Sequence, residues 1–233
     1  GIGEGCARKF ASEGANLILN GRNQDKLNEL KVELEADFGI EVLLLPFDVR
    51  DRERAKVAIE SLEGKWKSID VLVNNAGLVI GFDKEFEGVL EEWDIVIDTN
   101  IKGLLNITRL VTPGMVQRGV GHIINIGSIA GDAAYPGGSV YCATKAAVKT
   151  LSDGLRQDLV DTPLRVTNIK PGLVETNFSV VRYRGDKEAA DNFYKGIKPL
   201  SGSDVAESVY FAASAPAHVQ VAEILVLATN QAT

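Results

Sequence analysis

Short apolar runs take turns with amphipathic segments along this chain, and that alternation constrains the fold more than any other feature. Residues 16–20, 41–45, 70–73, 122–126, 164–169 and 224–227 read as strands. Residues 4–13, 24–38, 51–62, 91–116, 140–160 and 203–213 repeat apolar side chains at helical spacing, with Gly14 and Gly39 as stops. The strands are nearly continuous apolar runs, as expected when both faces of a parallel sheet are covered by helices. The reading is α/β, a doubly wound parallel sheet in three layers. No repeat, linker or low-complexity tract divides the 233 residues, so a single domain over 1–233 is expected.

Composition removes several functions. The net charge of −7 argues against a nucleic-acid binder or an anionic-membrane binder, either of which needs a basic face. No run of about 18 apolar residues is present, so no membrane-spanning helix is expected. Cys6 and Cys142 are too far apart and too few for a disulfide framework, which makes a cytoplasmic setting the default. His122 and His218 have no His or Cys partner at ligand spacing, so no metal site is expected. His122 lies at the start of its strand rather than at its C-terminal end and reads as a surface histidine. Cys142, Trp66 and Trp93 read as packing residues.

Two stretches break the pattern. The sequence opens Gly1-Ile2-Gly3 directly before a helix, like the tail of a glycine-rich turn. A strand and the start of that turn are therefore expected upstream of residue 1. Residues 175–203 are long, polar and irregular, and follow a strand end. Long loops at that place in open α/β sheets commonly cover ligands.

The chemistry lies at the strand ends. Gly1-x-Gly3 fits the last part of a dinucleotide-binding turn, where backbone N–H groups face a pyrophosphate. A plain glycine turn before a helix is the alternative. The second such strand would end in a carboxylate if it held the ribose hydroxyls of NAD. It ends instead Asn20-Gly21-Arg22, and Arg22 can pair with a 2′-phosphate, which favours NADP. Arg22 is otherwise a solvated loop charge. Asp48, followed by Val49, could accept from an adenine amino group or simply face a helix N-terminus.

Tyr141-x-x-x-Lys145 places a phenol and an ammonium on one helix face, with Ser128 upstream just past a strand end. At roughly 5 Å and an effective dielectric of about 20, their attraction is on the order of 3 kcal/mol. That would make the phenol about a hundredfold more acidic. Tyr141 would then work as an acid/base near neutrality, with Ser128 donating to a carbonyl oxygen as charge develops. Ser128 does not sit in Gly-x-Ser-x-Gly, because the glycines are at 127 and 131, so a serine hydrolase is not indicated.

Together with Asn74-Asn75-Ala76-Gly77, Asn100 and Pro171-Gly172-x-Val174-x-Thr176, these motifs resemble the short-chain dehydrogenase/reductase family, and the resemblance covers essentially the whole sequence. It implies a Rossmann-type fold. It also implies Tyr141 as catalytic acid/base, Ser128 as the group polarising the substrate oxygen, and Lys145 as the holder of the nicotinamide ribose. Asn100 would hold a water in a proton relay. Gly1, Ile2, Gly3, Asn74, Ala76, Gly77, Pro171, Gly172, Val174 and Thr176 would contact the cofactor. Family members are commonly homotetramers built on the helices at 91–116 and 140–160.

The stretch from Pro171 to Asp186, with Pro216–Val219 and Thr229–Gln231, is similar to the NADP-dependent 3-hydroxy acid dehydrogenases, which act on serine, allo-threonine and related acids. Such substrates need a cation for their carboxylate, and Arg182 or Arg184 is the expected anchor. Either could instead be a surface or subunit-contact arginine. The alternatives to a hydroxy acid enzyme are a broad NADPH carbonyl or 3-oxoacyl reductase and a non-catalytic NADP-binding sensor.

Overall fold

The computed structural model describes residues 1–196 and 198–231. Chain order begins α1 (Ile2–Ser12), β1 (Leu17–Gly21), α2 (Gln24–Phe38), β2 (Val42–Pro46), α3 (Arg52–Glu60) and β3 (Val71–Asn74). Then come α4 (Leu90–Ile97), a π-helical turn (Asp98–Gly103), α5 (Leu104–Arg118), β4 (His122–Ile126) and α6 (Ser139–Asp158). The chain continues with β5 (Arg165–Pro171), α7 (Asn177–Arg182), α8 (Lys187–Asn192), α9 (Gly202–Ser214) and β6 (Glu223–Val226).

Local chemistry sets the boundaries. The Asn23 side chain accepts from Lys26 N at 3.0 Å to start α2, and Gly39 ends it in the left-handed conformation at φ 66°. Asp51 caps α3, and Ser201 with Asp204 forms a capping box on α9.

All strand pairings are parallel. The hydrogen bonds run in two ladders, β1–β2 and β3–β4–β5–β6. β1 and β3 line the same cavity and do not bond each other among the described residues. Helices cover both faces, as the apolar runs require. On β4, Ile123 turns to a core holding Ala55 of α3 and Val111 and Met115 of α5. Ile124 and Ile126 turn to the other face, against Cys6 of α1 and Val205 and Val209 of α9.

Three expectations are corrected. Residues 175–203 are not one irregular loop: they carry α7 and α8. Thr176 caps α7 and Asp186 caps α8, but six-residue helices are too short to leave a readable period. The segment 91–116 is not one regular helix, because the π-helical turn interrupts it at Asp98–Gly103. His122 is not at the surface. It is the first residue of β4, sits between β3 and β5, and is 2% exposed. Cys6 and Cys142 are free and buried.

Candidate active site

A cavity of about 2120 Å³ runs along the gap between β1 and β3 and reaches the C-terminal ends of the parallel strands. Ser128 follows β4, and its hydroxyl accepts from Ala130 N at 3.1 Å, which fixes the turn at 129–131. Tyr141 and Lys145 lie one turn apart on α6, facing that turn. The Lys145 Nζ is 5.8 Å from the Tyr141 ring centroid and donates to Ile126 O at 2.8 Å. The π-helical turn carries Asn100, which is 2% exposed. Its Oδ1 accepts from Leu78 N at 2.8 Å, and its Nδ2 donates to Leu78 O at 2.9 Å and Thr144 Oγ1 at 3.0 Å. A π turn at a functional site is a common arrangement.

Electrostatics differ from the simple pair picture. Burial pushes the Tyr141 phenol well above its ordinary value, while the Ser128 hydroxyl and the Arg182 guanidinium pull it down. Burial also lowers Lys145, to about 8. Loss of water around the phenol dominates at Tyr141, and what lowers it comes from Ser128 and Arg182 rather than from Lys145 as expected.

The residues read as cofactor contacts gather along the cavity wall. Gly1, Ile2 and Gly3 open α1, and Gly1 lies against Thr176. Arg22 lines the wall after β1, and Asp48 lines it after β2. Asp48 already accepts from Arg50 Nη2 at 2.7 Å, and this bond holds its carboxyl below the usual range. Val49 sends its side chain into the core. Asn74 turns inward, donating to Thr108 Oγ1 at 2.9 Å and Asn125 Oδ1 at 2.8 Å. Ala76 and Gly77 face the cavity, as do Pro171, Gly172 and Val174.

A dinucleotide fits these residues. A Cβ on Gly77 would sit 3.4 Å from both Asn100 Oδ1 and Lys145 Nζ, and one on Gly3 would lie 2.6 Å from Asn75 Nδ2. Both positions need a bare backbone for close approach. The first-turn N–H groups of α1 have no helical acceptors and border the same space.

The two arginines part company. Arg182 ends α7 and lines the cavity, 8% exposed. Arg184 sits two residues on at φ 52°, outside the lining. Its Nε and Nη2 grip Glu92 at 2.8 and 2.7 Å, and Nη2 also donates to Asp83.

Sequence reading missed Phe82 and Tyr135, whose rings flank Arg182, Asn75 against Gly3, and Thr144 on Asn100. The aromatic residues near Ser128 and after Gly81 were the available signal.

Residues 1–186 match the family described as short chain dehydrogenase. The chain is 46% identical to the NADP-dependent 3-hydroxy acid dehydrogenase of Salmonella typhi, over 99% of this chain and 92% of that protein. It is 42% identical to sulfoacetaldehyde reductase 2 of Chromohalobacter salexigens, over 100% of this chain and 92% of the relative. The fold matches the closed form of serine dehydrogenase complexed with NADP+ at a TM-score of 0.96 and 44% identity, across 100% of this chain and 93% of that one.

Proposed function

Because the chain belongs to the short chain dehydrogenase family, we propose that it is an NADP-dependent oxidoreductase acting on the 3-hydroxyl or 3-carbonyl of a small hydroxy acid such as serine, allo-threonine or 3-hydroxyisobutyrate. The observation that carries this reading is the convergence of Ser128, Tyr141 and Lys145 on a cavity that also reaches Gly1–Gly3 and Arg22. When bound, NADP+ supplies the acceptor for the hydride that leaves the substrate carbon, and the products are carbonyl, NADPH and a proton.

The chain's own residues handle the oxygen and its proton. Tyr141 gives its proton to a carbonyl oxygen in reduction and takes it back in oxidation. With burial holding the phenol protonated, reduction starts from the populated form. Ser128 donates to the same oxygen as it becomes negative. Lys145, an ammonium below about pH 8, stabilises the charge left on Tyr141. Asn100 pairs with both backbone groups of Leu78 and so holds the segment after Gly77, which lies beside Lys145; a proton-relay water at Asn100 belongs to this proposal. Arg22 selects the 2′-phosphate.

Residues 1–233 form one domain in this reading, and the protein works as a cytoplasmic homotetramer. Free Cys6 and Cys142 and the exposed Leu105 and Val116 on α5 support that assignment. Among the described residues no helix is long and apolar enough to cross a membrane.

The test is a set of initial rates with NADP+ and NAD+ on L-serine, L-allo-threonine, 3-hydroxyisobutyrate and a neutral alcohol. Turnover of the acids with NADP+ is expected, and Tyr141→Phe lowers kcat by about a thousandfold. Turnover of the neutral alcohol alone removes the hydroxy acid assignment. No turnover of any substrate leaves an NADP-binding sensor.

A further inference from the structure

We propose that Arg182 is the receptor for an oxyanion head, carboxylate or sulfonate, carried on the same short substrate as the reacting hydroxyl; this deepens the oxidoreductase reading and rests on it. A guanidinium stays charged at any working pH. Burying one without an anion is unfavourable, so a buried and unanswered arginine implies a partner that arrives from outside. Arg182 is 8% exposed, and no Asp or Glu oxygen pairs with it among the described residues.

Its surroundings leave one route of approach. The guanidinium carbon lies 3.6 Å from the Phe82 ring centroid and 5.1 Å from that of Tyr135, so aromatic rings flank the ion. The remaining grip is an edge. Nε and Nη2 are buried and have no hydrogen-bond partner among the described residues. Those two nitrogens form the side of the fork that holds two oxygens at once. The chain carries its own example two residues away, where the Nε and Nη2 of Arg184 hold both Glu92 oxygens at 2.8 and 2.7 Å. Arg182 offers the same edge with nothing on it.

Placement ties the edge to the reacting oxygen. Phe178 and Arg182 are four residues apart on α7 and share a face. Phe178 meets the Tyr141 ring edge-on at 5.7 Å. The anion grip and the phenol thus line one cavity, near enough for the guanidinium charge to pull the phenol down. A short substrate that carries its anion near the reacting hydroxyl can reach both groups at once. Gly81 N donates to Arg182 O at 2.8 Å, which pins the arginine's backbone to the segment that carries Phe82.

The experiment compares wild type, Arg182→Met and Arg184→Gln. Met keeps the stem between the rings and removes the fork. Substrates are 3-hydroxypropanoate, its methyl ester and 2-hydroxyethanesulfonate, each with NADP+. Wild type should favour an anionic substrate over the ester. In Arg182→Met that preference in kcat/KM should fall on the order of a hundredfold, and in Arg184→Gln it should stay at the wild-type ratio. Whichever of 3-hydroxypropanoate and 2-hydroxyethanesulfonate turns over faster identifies the head group. A preference that survives in Arg182→Met, or is absent from wild type, overturns the proposal. Calorimetric titration with propanoate and with ethanesulfonate reads the site without turnover. If wild type oxidises nothing, the oxidoreductase reading fails and this titration decides alone. Binding that is lost in Arg182→Met sustains the anion site, and equal binding or none in both proteins overturns it.

Discussion

Lys145 is a charge with little access to water, at 6% exposure on the cavity wall with one carbonyl accepting from it. Its fall from 10.5 to about 8 corresponds to about 3 kcal/mol against the ammonium in the folded chain at neutral pH. The bond to Ile126 O, made by a charged donor, offsets about 2 kcal/mol when the ammonium is present. Lys145→Met should therefore abolish turnover and yet raise Tm by roughly 3 °C at pH 7. The unfolded chain keeps this proton up to about 10.5, whereas the folded chain sheds it from about 8. Wild type thus gains stability as pH rises through that window, and its gap to Lys145→Met closes. Thermal scans at pH 7 and pH 9.5 check both halves; a lower Tm for the variant at pH 7 contradicts the first.

Among the elements, α7 and α8 are strapped to the segment that leads into α4. Arg184 binds Asp83 and Glu92, and Phe82 packs on Tyr183 at 4.8 Å between ring centroids. Arg184 is 43% exposed, so its ion pairs are worth only about 1 kcal/mol. Glu92→Gln should then open the strap about fivefold more often. Limited trypsin digestion should cut after Arg184 and Lys187 faster by that factor, with global Tm nearly unchanged; equal cutting rates would count against the strap. This region was the least legible in the sequence. The helix at 24–38 is legible through Leu27, Leu30, Leu34 and Phe38, with Gly39 as its stop. The run 122–126 was equally clear. The motif spacing brought Ser128, Tyr141 and Lys145 together before any coordinate did. Arg182 and Arg184 were equals on paper. They are separated only because α7 ends between them and the backbone turns left-handed at Arg184, sending the two side chains to opposite environments. Asn74 lines the cavity, and its amide also closes a part-buried network with Thr108 and Asn125 that sequence cannot display.

At the scale of the whole molecule, acid tolerance should depend on the end of the sheet far from the chemistry. Thr167 Oγ1 donates its proton to Val221 O at 2.6 Å, so His122 Nε2 must be the donor in its 2.7 Å contact with Thr167. The neutral ring is the one that fits. Burial, with the Arg165 charge added, holds His122 down at about 3. An unfolded chain takes up this proton near 6.5, so stability falls as pH drops through the window below that value, by about 1.4 kcal/mol per pH unit. Urea unfolding at pH 6.5, 5.5 and 4.5 should show this slope, and His122→Gln should flatten it by that amount. Coincident slopes would move the acid sensitivity elsewhere. The π-helical turn at Asp98–Gly103 also has a consequence for the whole molecule. It is one residue of surplus, and that residue sets the rotational phase of everything after it. Removing it would restore a regular helix and turn α5 by about 100° against α4. Thr108 would swing away from Asn74, and Ile107, Val111 and Met115 would leave the core together. This stretch can therefore change its letters more easily than its length, and a single-codon deletion there would be felt from the substrate cavity to the opposite side of the sheet.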